Sequence, residues 1–179
     1  MHFLSRSTGL FQSTSGAREE YRSAGRRRLP MTLETLETRN LMSVPGVSLS
    51  YGNLSILAPS GSSGNVAKVW IDSSTHNVDV SFNGQSESFT ASSVSNITYE
   101  GGSGGGDTFT NDTSLVSLDY GFGSHNNFTG GTSYNYVYFY GTGNTYNAQK
   151  GSFTDVFEIG GSDTINNPTG AGMQIYVYA

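Results

Sequence analysis

The chain contains no cysteine. A structural disulfide and a thiolate zinc site are therefore excluded. Charge is also scarce, since Asp, Glu, Lys and Arg make up 13% of the 179 residues. No apolar run approaches the roughly 18 residues that a membrane-crossing helix needs. Three scattered histidines are too few for a zinc site. No pair of carboxylates recurs at a spacing that predicts a general acid and base, and no glycine motif leads into a helix to cradle a phosphate. Ser124 and His125 are adjacent, and neighbours on a strand face opposite ways, so they do not form a nucleophile and base. His76 falls in a polar turn and is expected to be solvated. These absences point away from an enzyme.

Glycine (24 residues), tyrosine (11) and phenylalanine (10) are abundant. Aromatic residues favour strands, and this composition is unlike that of a helical protein. Charge divides along the chain. Residues 1–43 carry seven basic and four acidic groups, and residues 44–179 carry two basic and ten acidic ones, for −8. The later segment would repel nucleic acid.

Three segments are expected. Residues 1–45 form an Arg-rich leader without β-alternation, whose composition suits a solvated tail. Arg26, Arg27 and Arg28 are not followed by the apolar stretch of a standard signal peptide. Residues 46–95 alternate apolar and polar side chains, from Val47, Leu49 and Tyr51 through Val78, Val80 and Phe82, with tight-turn signals at Gly52-Asn53 and Asn83-Gly84. This pattern predicts an antiparallel β-meander with Trp70 at the edge of its core. Residues 96–179 repeat. Apolar pairs recur at Ile97/Tyr99, Leu118/Tyr120, Val137/Phe139, Phe157/Ile159 and Ile175/Val177, with a second apolar position at Phe109, Phe128, Tyr146 and Ile165. Two series of nearly equal period, about 19 residues, predict a short β-solenoid in an all-β fold. One coil cannot bury its own apolar face, so stacked coils must share a core.

The turns between the strands carry a resemblance. Gly101-Gly102-Ser103-Gly104-Gly105-Gly106-Asp107-Thr108-Phe109 resembles the hemolysin-type (RTX-like) repeat, and the turns at 121–128, 141–146 and 160–165 are weaker copies. In that family, turn carbonyls and aspartates of stacked turns coordinate calcium. By the resemblance, Gly104, Gly106, Asp107, Gly161 and Asp163 are the candidate ligands here. Asn126 and Asn144 replace the charged residues of the intervening turns, and calcium affinity follows the number of charged ligands. The cofactor expectation is thus none, or calcium near Asp107 or Asp163. Recurring Asn and Thr, as at Thr110-Asn111 and Asn166-Asn167, suggest hydrogen-bonded ladders in place of the ions. Residues 33–43, Leu33 to Ser43, resemble the LEPR-XLL leader of large surface or secreted bacterial proteins, which implies an extracellular or cell-surface location.

Tyr134, Tyr136, Tyr138 and Tyr140 alternate along one strand, opposite Val137 and Phe139. They are the candidate binding surface for a cell-surface polysaccharide or protein. The apolar segment Met173 to Ala179 lacks a polar cap and suggests self-association through the C-terminal coil. Three functions stay open: a structural or adhesive solenoid module of an exported bacterial protein, a repeat domain that folds on calcium outside the cell, and a polysaccharide-acting β-helix enzyme.

Overall fold

Two-residue turns and period-2 alternation set the start of the fold. Val47–Ser50 (β1) and Asn53–Leu57 (β2) pair antiparallel across Tyr51 and Gly52, both at positive φ. Val66–Ile71 (β3), Val78–Phe82 (β4) and Gln85–Phe89 (β5) form an antiparallel triplet, with Asn83 and Gly84 in the left-handed region at the tighter turn. A single 3-10 turn, Ala91–Ser93, then returns the chain. Nine strands follow in strict alternation between two sheets: Asn96–Glu100 (β6), Thr108–Asp112 (β7), Val116–Gly121 (β8), Asn127–Thr129 (β9), Tyr134–Phe139 (β10), Thr145–Asn147 (β11), Phe153–Glu158 (β12), Thr164–Asn166 (β13) and Gly172–Val177 (β14). These elements come from a computed structural model that describes residues 43–178. The leader motif lies almost wholly outside them.

Each sheet has seven strands, in the orders β1-β2-β6-β8-β10-β12-β14 and β13-β11-β9-β7-β3-β4-β5. From β6 onward every pairing is parallel, which makes the chain a β-solenoid of about four turns. Residues 46–95 pair antiparallel within β1–β2 and β3–β4–β5, as the alternation predicts. In addition, β2 lies parallel to β6 and β3 parallel to β7. The segment therefore contributes the first coil, and it shares sheets and core with residues 96–178. Strands of one coil face each other across the core, and one coil's apolar face is covered only by the next.

The core is aromatic. Tyr99, Phe109, Phe128, Phe139 and Tyr146 are fully buried. The Tyr99 and Phe109 rings stack at 4.5 Å, and Phe128 meets both edge-on. The second apolar series stacks in register, Phe109 on Phe128 on Tyr146 on Ile165.

The first series differs in two coils. Ile97/Tyr99 and Val137/Phe139 point inward as expected. In β8, however, Ser117 and Asp119 are fully buried while Leu118 and Tyr120 face outward, and in β12 Val156 and Glu158 are inward while Phe157 and Ile159 face outward. A one-residue slip exchanges the two faces of a strand. These strands carry apolar residues on both faces, so apolarity alone selects the wrong one. Ile175 and Val177 occupy inward registers opposite Val156 and Glu158, yet they are exposed because β14 is the sheet edge.

Candidate functional site

Two features of the solenoid run across its coils: a ladder of side chains at the turns and rows of aromatic rings on one outer face. The ladder is built by Asn65, Asp107, Asn126, Asn144 and Asp163. The Asp107 backbone N–H donates to Asn126 Oδ1 at 3.0 Å, the Asn126 N–H to Asn144 Oδ1 at 3.0 Å, and the Asn144 N–H to Asp163 Oδ1 at 2.7 Å. The side-chain amides of Asn126 and Asn144 donate to the same acceptors in the next coil. At the other end, the N–H and amide of Asn65 both donate to Asp107 Oδ1. Each rung therefore satisfies a buried backbone donor that the turn leaves without a strand partner. Sharp turns stacked this closely need glycine: Gly105 and Gly123 both have positive φ, and a Cβ on Gly123 would fall 2.7 Å from the Gly105 nitrogen.

The residues assigned to calcium by resemblance occupy these turns. Asp107 Oδ1 accepts two N–H groups from Asn65, and Oδ2 accepts the Gly102 N–H at 2.6 Å. Gly104 and Gly106 donate their N–H groups to the Ser62 and Ser124 carbonyls. The Asp107 carboxylate is thus ringed by N–H donors, which take up its lone pairs. Asp163, beside Gly161, is more open. Its Oδ1 receives Asn144, while Oδ2 has no partner. Desolvation raises its pKa against the hydrogen bonds from Asn144, and desolvation and Asp163 together raise that of Glu158. A second ladder runs on the outer face of the other sheet, where Asn166 donates to Asn147 and Asn147 to Asn127.

The tyrosines of β10 face outward; Tyr134, Tyr136 and, just after the strand, Tyr140 are exposed. The parallel register places each in a different row down the solenoid. The longest row is Tyr120, Tyr138, Phe157 and Tyr176, with ring centroids 5.1, 4.5 and 4.8 Å apart and nearly parallel planes. A parallel neighbour row stacks Phe122 on Tyr140 at 5.0 Å, and on the far side Tyr134 stacks on Phe153 at 5.2 Å. Between the outer rows lies the row of Tyr136, Asp155 and Gln174. The single-strand pattern therefore found one residue of each row. Phe153, Phe157 and Tyr176 lie outside that pattern, because Phe157 falls on the predicted inward face and no alternation singles out the other two. The 19-residue spacing, applied to the outward face, would have found them.

Inside the first sheet, Asp119 is fully buried. Ser117 Oγ approaches Asp119 Oδ2 at 3.0 Å and Asn135 Oδ1 at 3.0 Å, while Asp119 Oδ1 and Tyr99 Oη lack partners. Burial pushes the Asp119 carboxyl up to about 8, against the Ser117 hydrogen bond, and burial followed by the Asp107 and Asp119 charges raises the Tyr99 hydroxyl. Trp70, expected at a core edge, is half-buried on the outer face, with the Lys68 ammonium 5.8 Å from its ring centroid.

The fold and its stacked rows define a β-solenoid repeat protein with a hydrogen-bonded turn ladder and an aromatic outer face. No protein-family model, curated protein or solved structure matches the chain. No helix among the described residues is long and apolar enough to cross a membrane.

Proposed function

We propose that this chain is a non-catalytic adhesive β-solenoid module of a protein exported from a bacterial cell. The aromatic outer face carries the proposal. A polar-surfaced solenoid has no need of three rows of rings facing solvent, and exposed apolar patches of this kind mark interaction sites. The hemolysin-type turns and the LEPR-XLL-like leader support export, and the partner is a cell-surface polysaccharide or protein.

Sedimentation of the full chain with washed bacterial envelopes tests this. The wild type is expected in the pellet, and a Tyr138→Ser/Phe157→Ser variant with an unchanged circular dichroism spectrum is expected in the supernatant. Equal pelleting of both, or sustained release of soluble sugar from the envelopes, would overturn the reading.

The alternative, a repeat domain that folds on calcium, is supported only by the partnerless Asp163 Oδ2. Since the ladder is closed by amides at its inner rungs, the β-signal of the chain is expected to be the same in a chelator and in calcium. A β-signal that appears only with calcium would favour the alternative.

A further inference from the structure

Stacked rings cover one another's faces. Along the rows of the outer face, each ring lies 4.5 to 5.2 Å from the next, so a ligand meets ring edges over most of the surface. The row of Tyr134 and Phe153 is interrupted. In register, Phe153 is followed on β14 by Gly172, which has no side chain to continue the stack. Phe153 is 56% exposed, and a Cβ on Gly172 would lie 2.6 Å from its ring. The Phe153 ring thus leans into the space that a side chain on Gly172 would fill, and no ring of β14 covers it.

The Phe153 ring borders a cleft of about 420 Å³ lined also by Tyr134, Tyr136, Asp155 and Gln174. Its polar groups are pre-set. Tyr176 Oη donates to Gln174 Oε1, which leaves the Gln174 amide N–H groups free to donate. The Asp155 carboxylate, in the same row, enters no hydrogen bond within the described residues and is an acceptor for hydroxyl groups.

A flat aromatic face beside one acceptor and one donor is the chemistry that recognises a pyranose ring. The polarised C–H bonds of the sugar meet the negative face of the arene, and the equatorial hydroxyls reach the polar pair. Residues 44–179 carry −8 and the cleft contains a carboxylate, which disfavours an acidic sugar. We propose that the cleft beside Phe153 binds one ring of a neutral hexopyranose polysaccharide, with Phe153 as the stacking platform and Asp155 and Gln174 as the hydroxyl partners. This rests on the adhesive function above and names its ligand class and contact point.

The test is titration of the ¹⁵N-labelled full chain with two soluble neutral probes, cellohexaose and maltohexaose, followed by NMR. At least one is expected to give saturable shifts at Tyr136, Phe153, Asp155, Gly172 and Gln174, with half-saturation below about 10 mM. Phe153→Ala is expected to weaken binding about tenfold. Asp155→Ala, at a half-buried, outward-facing position that leaves the stack intact, is expected to weaken it too. No saturable shift with either probe, shifts confined to another face, or unchanged affinity in both variants would overturn the proposal. Wild-type pelleting with envelopes that persists in Phe153→Ala would then leave the adhesive function standing without this site. Loss of both sugar binding and pelleting would remove the two together.

Discussion

Asp119 makes the stability of this fold depend on pH in an unusual direction. Its carboxyl is completely buried, with Oδ1 unpartnered, and burial raises its pKa from 3.8 to about 8. Between those values the folded chain holds a proton that the unfolded chain has released. Stability is then full below about pH 4 and falls as pH rises, by about 1.4 kcal/mol per unit, until the folded carboxyl ionises near pH 8. Across the whole window the loss is about 6 kcal/mol, comparable to the entire stability of many small domains. Asp163 and Glu158 also have raised values and add to the slope with the same sign. The informative quantity is therefore a difference. Asp119→Asn keeps the shape of the protonated carboxyl and removes its titration. Urea denaturation of wild type and variant from pH 5 to 8 should show curves that diverge with rising pH, the variant gaining on the wild type by about 1 kcal/mol per unit. Parallel curves would refute the argument and mean that Asp119 is solvated or ionised in the folded chain.

Two further outcomes follow from the turns. Asn126→Ala removes the acceptor of the buried Asp107 N–H and the donor to Asn144, and it is expected to cost about 2–3 kcal/mol by urea denaturation. Gly105→Ala and Gly84→Ala both place a Cβ at positive φ, but only at Gly105 would it collide with the Ser124 backbone, while Gly84 has open space around it. The Gly84 variant should lose about 1 kcal/mol in thermal or chemical denaturation, and the Gly105 variant clearly more.

The parts of the fold legible in the sequence were those with one apolar face. Phe109, Phe128, Tyr146 and Ile165 each sit between polar neighbours, so their stack and period could be read directly. The first series failed at Leu118/Tyr120 and Phe157/Ile159, where the outward face is as apolar as the inward one and the core accepts Ser117, Asp119 and Glu158. The turn ladder holds the missing information. The inward residue stands seven positions before the ladder residue in three coils: Asp119 before Asn126, Val137 before Asn144, and Val156 before Asp163. The first glycine-rich turn is one residue longer, and there Tyr99 precedes Asp107 by eight. Spacing from the ladder fixes register where apolarity cannot. Asn65 was invisible as a ladder member because its coil is interrupted by the β4–β5 hairpin. The aromatic face was visible only along β10, since rows across coils appear once the register is known.

The two ends of the solenoid are built differently, and this bears on how the chain comes to order. The first coil joins Asn53 to Asn96 and Val66 to Thr108, across separations of 43 and 42 residues, with the β4–β5 hairpin between. Every later coil closes over 18 to 20 residues. Loop closure is the slow element of such folding, and its cost falls mostly on the first contact. Once β2, β3 and the hairpin have met β6 and β7, each following coil has a finished edge to zip onto. A chain that emerges from a ribosome or an export channel N-terminus first presents these pieces in that order. The antiparallel end then serves as a template, and the coils add to it as a queue, each ordered by the one before.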